Sequence, residues 1–166
     1  MKRIMKKSIL EILDHSKGYD MALFSTFNFE IEFFERAILS RLIKNNIRQI
    51  SVFVDAKELA KALSAVESCT LGQHYAVNPV IMHGSYHPKV ILLLGDRKAR
   101  LFVSSANLKT SGYLINNEIF NYIDYDPEHP EYRDVIVAAI QFFMNSYEFT
   151  PNLDDALLNN LMEQSL

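Results

Sequence analysis

Three short segments of the sequence carry side chains that could act together on a phosphate. They are His87-Pro88-Lys89, Ser104-Ser105-Ala106-Asn107 and Asn117-Glu118. In an extended strand, residues two apart point to the same face, so His87 and Lys89 would project together. An imidazole can attack phosphorus or transfer a proton near neutral pH, and an ammonium can hold a non-bridging oxygen as negative charge develops. The pair therefore suits phosphate-ester chemistry.

The second and third segments would complete such a site. Because the turn sequence GDRKA follows the first segment, the next strand would return Ser105 and Asn107 to the end that holds His87. Their neutral donors would then bind the same phosphate oxygens. Glu118 could accept a hydrogen bond from the distal ring nitrogen of a histidine and fix its tautomer. Each segment alone is a weak signal, since Ser-Ser-Ala-Asn also suits a turn or helix cap.

Together, the segments resemble the motif of the phospholipase D (HKD) superfamily, in which H-x-K is followed by an aspartate, by G-S-x-N and by a glutamate. Here His87 and Lys89 match H-x-K, Ser105 and Asn107 match S-x-N, and Glu118 matches the later acid, and the resemblance covers about residues 20–140. Two positions depart from the motif: Leu94 stands where the aspartate is expected, and Ser104 replaces the glycine. Within the superfamily, the chain resembles compact single-motif bacterial nucleases and metal-independent restriction endonuclease domains, which often lack that aspartate.

The resemblance implies a function and an assembly. A complete site in this superfamily uses two H-x-K motifs and this chain has one, so a homodimer should share the site. One His87 would attack phosphorus to give a phosphohistidine, while the other protonates the leaving oxygen. The expected activity is an endonuclease that needs no metal or other cofactor, with DNA favoured over RNA as the substrate and the choice between them left open. By the same resemblance, we predict a role in restriction or phage defence, with further domains or a helicase or motor partner.

Two alternatives stay open from the sequence. One is a non-catalytic DNA-binding or assembly module that keeps the fold. Ser104 and the missing aspartate are compatible with this alternative, whereas the intact His, Lys, Asn and Glu argue against it. The other is a lipid phosphodiesterase. It is disfavoured because such members carry both motifs in one longer chain, and no helix with a strongly basic membrane-binding face is visible here.

The charge distribution adds a second group of candidate residues. A net charge of -3 at pH 7 argues mildly against nucleic-acid binding. However, residues 81–112 contain five Lys or Arg and one acid, so positive charge is concentrated around the motif. We therefore predict that substrate is bound by Ser104, Arg97, Lys98, Arg100 and Lys109.

The order of the predicted elements indicates an α/β fold. A strand over 20–26, a helix that Asn28 would cap, a second strand over 49–56 and another helix form a β-α-β-α opening. The apolar run VILLL lacks alternation, which is typical of a strand covered on both faces. The resemblance implies a phospholipase D-like mixed sheet with helices on both faces and one motif per chain. Two further helices, separated by Pro151, would end the chain.

Length and composition fit a single domain over 1–166, although the chain could equally be the N-terminal part of a longer protein. One cysteine, Cys69, excludes an intrachain disulfide. The basic N-terminus is interrupted by Glu11 and Asp14 and no apolar run could span a bilayer, so we expect a cytoplasmic protein that does not associate with membranes. The first residues predict an amphipathic helix with an apolar face made by Ile4, Met5, Ile9, Ile12 and Leu13.

Overall fold

The computed structural model describes residues 8–67 and 69–151, together with Asn159. The strands are β1 (Met21–Thr26), β2 (Gln49–Asp55), β3 (Ala76–Val80), β4 (Val90–Gly95), β5 (Lys98–Ser104) and β6 (Phe120–Tyr125). The α-helices are α1 (Ile9–Asp14), α2 (Ile31–Phe33), α3 (Ser40–Lys44), α4 (Ala56–Ser64) and α5 (Arg133–Tyr147). A π-helical segment, Phe34–Leu39, joins α2 to α3, and a second one covers Ser111–Ile115; a 3-10 turn, Pro130–Tyr132, precedes α5.

The described strands form one six-stranded mixed sheet in the order β3-β2-β1-β4-β5-β6. Strands β1, β2 and β3 are parallel, whereas β4 runs antiparallel to both β1 and β5, and β6 runs antiparallel to β5. The central pair, β1 and β4, is almost completely buried, as the unbroken apolar run VILLL predicts. The mixed α/β fold expected from the sequence is confirmed.

Helices cover both faces of this sheet because its side chains alternate between two cores. Ala22 and Phe24 point to the face covered by α1, α3 and α4. Met21 and Leu23 point to the opposite face, where α5 packs through residues such as Phe143. Full burial of a side chain of this size contributes roughly 1.5–3 kcal/mol to the free energy of folding, so packing against either face of the sheet stabilises the helices.

The predictions for individual helices have different outcomes. Asn28 does not cap a helix: its side-chain amide donates to Glu58 at 3.0 Å, and the helix begins three residues beyond it, at Ile31, without a side-chain cap. The helix α1 is confirmed and starts with a capping box between Ser8 and Glu11. The predicted apolar residues Ile4 and Met5, and the helix expected after Pro151, lie outside the described residues.

The sheet topology collects the motif segments at one edge. Since β1 and β4 are antiparallel, the carboxyl ends of β1, β2, β3 and β5 meet the amino ends of β4 and β6. We call this the motif edge, because the segments around His87, Ser105 and Glu118 all lie there. None of the helices in the described ranges is long and apolar enough to cross a membrane.

Candidate active site

His87 and Lys89 lie in an irregular segment immediately before β4 and not in the strand itself. Their side chains nevertheless meet: the Lys89 Nζ lies 2.7 Å from the His87 Nδ1 and donates to the His87 carbonyl oxygen at 2.8 Å. The imidazole packs against the ring of Phe27, with centroids 4.7 Å apart. The predicted association of the pair is present, but strand alternation does not produce it.

Hydrogen bonds on both sides of this segment fix its position. Before the histidine, the Tyr86 N–H donates to Asp55 Oδ2 at 3.0 Å. After the lysine, the Val90 N–H donates to the Ser25 hydroxyl at 2.9 Å. The other oxygen of Asp55 accepts from the backbone N–H groups of Lys57 and Glu58, so this buried carboxylate links the start of α4 to the histidine segment.

Sequence reasoning missed Asp55 and Tyr86 as residues that position the histidine. The available signal was an aspartate between an apolar strand and a helix, which identifies the N-cap of α4. Its second role could not be inferred, because Tyr86 lies 31 residues further along the chain.

The side chain of Asn107 is oriented by the end of β1. Its Oδ1 accepts from the Asn28 N–H at 3.1 Å; the Thr26 hydroxyl lies 3.4 Å away and donates to the Asn28 carbonyl oxygen at 2.8 Å. A backbone N–H can only donate, so it must face the amide oxygen and not the amide nitrogen. The Nδ2 group has no hydrogen-bond partner among the described residues, which leaves two N–H donors at the motif edge.

Ser105 and Glu118 form a second hydrogen-bonded group at this edge. The Ser105 hydroxyl donates a short hydrogen bond to Glu118 Oε2 and accepts from the Ile119 N–H at 3.1 Å. Asn116 donates to the other Glu118 oxygen at 3.2 Å. Within the described part of one chain, no hydrogen bond joins Glu118 to His87. The roles expected for Ser105 as a phosphate donor and for Glu118 as a histidine partner therefore stay predictions.

The electrostatics of the two groups are linked through Lys89. Hydrogen bonds from Ser105 and Asn116 lower the pKa of Glu118, with a smaller contribution from the charge of Lys89. Burial lowers the pKa of Lys89, an effect that the charge of Glu118 partly opposes. The site thus contains an ionised carboxylate near a lysine that has lost part of its solvation, and such a lysine gains from a bound anion.

The predicted substrate-binding residues divide into two groups. Ser104 lies at the motif edge, where its N–H donates to the Lys89 carbonyl oxygen at 3.0 Å, and Lys109 follows Asn107 closely along the chain. The other three, Arg97, Lys98 and Arg100, do not lie beside His87.

Arg97 and Lys98 lie at the far end of the β4–β5 hairpin, and Arg100 lies two residues further along β5, opposite Leu93. Five residue steps of strand, at roughly 3.3 Å each, place this end about 17 Å from the start of β4. Two of these cations also have partners there, since Lys98 donates to the Lys17 carbonyl oxygen and Arg100 pairs with Asp124. The hairpin separates these three residues from His87, and their contact with substrate stays a prediction.

No group of three or more His, Cys, Asp or Glu side chains in the described ranges could hold a metal ion. Metal-independent cleavage stays a prediction, since this finding concerns side-chain geometry only.

A family model described as tyrosyl-DNA phosphodiesterase matches residues 4–113, a span that contains His87, Lys89, Ser105 and Asn107. The chain belongs to this family. As a member of the tyrosyl-DNA phosphodiesterase family, it is a phosphodiester hydrolase of the phospholipase D superfamily, as the motif predicts. Glu118 lies beyond the matched span.

Two solved structures share the fold of this tyrosyl-DNA phosphodiesterase family member. NucT from Helicobacter pylori is 16% identical, with 87% of each chain covered and a TM-score of 0.59. Nuc from Salmonella typhimurium, a phospholipase D family member, is 11% identical over 87% of each chain, with a TM-score of 0.62. At these identities the similarity establishes the fold, which confirms the phospholipase D-like sheet. Among curated proteins, no sequence matches the chain.

Proposed function

We propose that this chain is a nuclease that cleaves phosphodiester bonds, preferentially in DNA, through a covalent intermediate on His87. The observation that supports this proposal is the convergence of His87, Lys89, Asn107 and Glu118 at one sheet edge from separate segments of the chain. They supply a nucleophile, two kinds of phosphate-oxygen donor and a carboxylate. A role in restriction or phage defence, with a motor partner, stays a prediction from the sequence.

The contact between Lys89 and His87 describes a resting arrangement. A protonated lysine is only a donor, so the His87 Nδ1 accepts its hydrogen bond and the ring proton resides on Nε2. In that tautomer Nε2 cannot attack phosphorus. A bound phosphodiester would attract the ammonium away from the ring, after which Nδ1 could take the proton and a carboxylate could accept it as a hydrogen bond.

The proposed reaction then proceeds in two displacements. The Nε2 of one His87 forms a bond to phosphorus while the bond to the leaving oxygen breaks, and that oxygen takes a proton from the second histidine. Water then attacks the phosphorus, gives a proton to the second histidine and breaks the nitrogen–phosphorus bond. Throughout, Lys89 and the Asn107 Nδ2 would hold the non-bridging oxygens and offset the developing charge.

The second histidine would come from a second copy of the chain. Three apolar side chains flank the Glu118 segment and are mostly exposed: Leu114 (63%), Ile115 (72%) and Ile119 (70%). Exposed side chains of this size close together are typical of a protein interface. A two-fold axis near them would bring both motif edges together, and Glu118 could then reach the imidazole of the other copy.

The direct test is a nuclease assay in excess EDTA that compares the parent protein with His87→Ala. Parallel reactions should contain single-stranded DNA, double-stranded DNA and RNA. We expect cleavage of DNA by the parent that survives the chelator and disappears in His87→Ala. Loss of activity in EDTA with recovery on adding Mg²⁺ or Zn²⁺ would contradict the histidine mechanism.

The shared site is tested by mixing chains. Dimers of parent and His87→Ala chains should be nearly inactive, since each shared site would keep only one histidine. Half of the parent rate would instead mean that each chain holds an independent site. In addition, Ile119→Asp should give a monomer by light scattering and lose activity, whereas Leu63→Ala, at a 45% exposed position on α4, should change neither property.

A further inference from the structure

A cavity of about 330 Å³ is lined in part by His87, and neither Phe27 nor Asn107 belongs to its lining. It lies between the segment that follows β3 and the carboxyl end of α5. Its wall includes Met82, Tyr86, His87, Pro88, Phe142 and Phe149. The proposed nucleophile is thus itself part of the cavity wall.

The wall of this cavity is mainly apolar and aromatic. Phe149 and Met82 are 48% and 41% exposed, so part of the aromatic and thioether surface is open to solvent. The rings of Tyr86 and Phe142 are nearly parallel, at an interplanar angle of 10°. Apolar walls of this kind with a few polar groups at the rim are the usual features of sites for small planar ligands.

One polar group at the rim has a defined direction. The Oδ1 of Asn145 accepts from the Gln141 amide at 2.7 Å, so the Asn145 Nδ2 is left as a donor. An amide donor beside an aromatic wall matches a flat heterocycle that carries acceptors on its edge. An alkyl chain would use the wall but gain no hydrogen bond from this amide.

We propose that the cavity binds one unpaired nucleobase of the nucleotide that adjoins the scissile phosphate. This inference rests on the proposed function, because His87 must be the nucleophile for the cavity to lie one nucleotide from the reacting phosphorus. A base enters such a cavity only when it is not stacked and paired within a duplex. The site therefore favours single-stranded nucleic acid.

The test uses a substrate with one phosphodiester bond, so that the position of cleavage is defined. We would compare a thymidine dinucleotide with two analogues that lack the base on the 5′ or on the 3′ nucleotide. Stacking of a base on aromatic side chains corresponds to about a 5- to 100-fold effect. We expect one abasic analogue, and not the other, to lose kcat/KM by such a factor.

A variant connects this effect to the cavity. Phe149→Ala removes an exposed ring, and its backbone oxygen can still accept from the Ile81 N–H, so the fold should persist. This variant should lose kcat/KM on the full dinucleotide and should no longer distinguish the abasic analogue. The matched control is Leu63→Ala, which removes a similarly exposed apolar side chain on α4 and should behave like the parent.

A binding measurement separates this inference from the proposed function. A dinucleotide that carries 2-aminopurine should lose fluorescence on binding to the parent and lose much less on binding to Phe149→Ala. Quenching without any hydrolysis by the parent would support the cavity and overturn the proposed function. Hydrolysis that depends on His87 but is equal for all three dinucleotides would overturn the cavity assignment alone. The assignment also fails if Phe149→Ala changes only the oligomeric state, because the cavity would then be an interface between chains.

Discussion

Replacing Asn107 by aspartate should remove catalysis while leaving the fold intact. The Asn107 Oδ1 accepts from the Asn28 N–H, and a carboxylate oxygen can accept this hydrogen bond equally well. The second carboxylate oxygen would then stand where the Nδ2 group offers its two N–H donors. A donor toward phosphate is thereby replaced by a negatively charged acceptor, with almost no change in shape.

The expected magnitude follows from these two changes. Loss of one donor to a developing oxyanion costs about 10²- to 10³-fold in kcat. The added carboxylate also repels the phosphate, so Asn107→Asp should lose at least about 10³-fold in kcat/KM. Asn107→Ala should lose about 10²- to 10³-fold, and it should also leave the Asn28 N–H without its acceptor, at a cost of about 1–3 kcal/mol in folding free energy.

The assay combines steady-state cleavage of DNA with thermal unfolding of the three proteins. The midpoint of Asn107→Asp should match the parent, whereas Asn107→Ala should unfold several degrees lower, at about 2–4 °C per kcal/mol for a chain of this size. The reasoning would be refuted if Asn107→Asp kept activity within about ten-fold of the parent. It would also be refuted if both variants lost the same stability, since the amide oxygen would then have no anchoring role.

Three further predictions use other parts of the site. Glu118→Gln should fold but lose about 10²-fold or more in kcat. Because the pKa of the Glu118 carboxyl lies below its ordinary value of 4.5, any stability that the carboxylate adds should be present above pH 4.5 and be lost as the pH falls through the lowered pKa. Unfolding of the parent and of Glu118→Gln at pH 7 and at pH 3 would show this difference. An asparagine at position 55 has one acceptor oxygen, so Asp55→Asn can keep its hydrogen bond to Tyr86 or those to the start of α4, but not both. The variant should lose about 1–3 kcal/mol of folding free energy and should lower kcat more than it raises KM. An unchanged kcat would argue against a positioning role for Asp55. Lys109→Ala should reduce the slope of the logarithm of the DNA-binding constant against the logarithm of salt concentration by roughly one unit, whereas Arg97→Ala, at the far end of the hairpin, should not. Equal slopes for the two variants would contradict the separation of Lys109 from the hairpin residues.

The sheet was predictable because its signals are local. The apolar runs of β1, β2 and β4, and the turn after Gly95, each identify an element without knowledge of its neighbours. The candidate site residues were proposed from spacing, since the H-x-K and S-x-N pairs and the later glutamate occur in the order of the superfamily motif. Sequence reasoning thus reached most of the fold and the identity of the candidate residues.

The geometry of the site was less predictable, because it depends on loops that follow strand ends. Ser105 and Asn107 are held by Glu118 and Asn28, which are distant in the sequence, and not by strand alternation. The position of the basic stretch was unpredictable for a related reason: residues close in sequence diverge along the two strands of a hairpin. Arg97 is ten positions from His87 along the chain but lies at the opposite end of β4.

The remote position of the β4–β5 turn makes it useful for engineering. Asp96 and Arg97 are exposed there, and the strands on either side hold the turn in place. Gly95 itself must be kept, because a Cβ at this position would collide with the carbonyl oxygen of Gly18. A fluorophore or a fused protein attached between Asp96 and Arg97 would therefore point away from the motif edge. Such an attachment gives a way to immobilise or label the protein while long nucleic-acid substrates keep their access to His87.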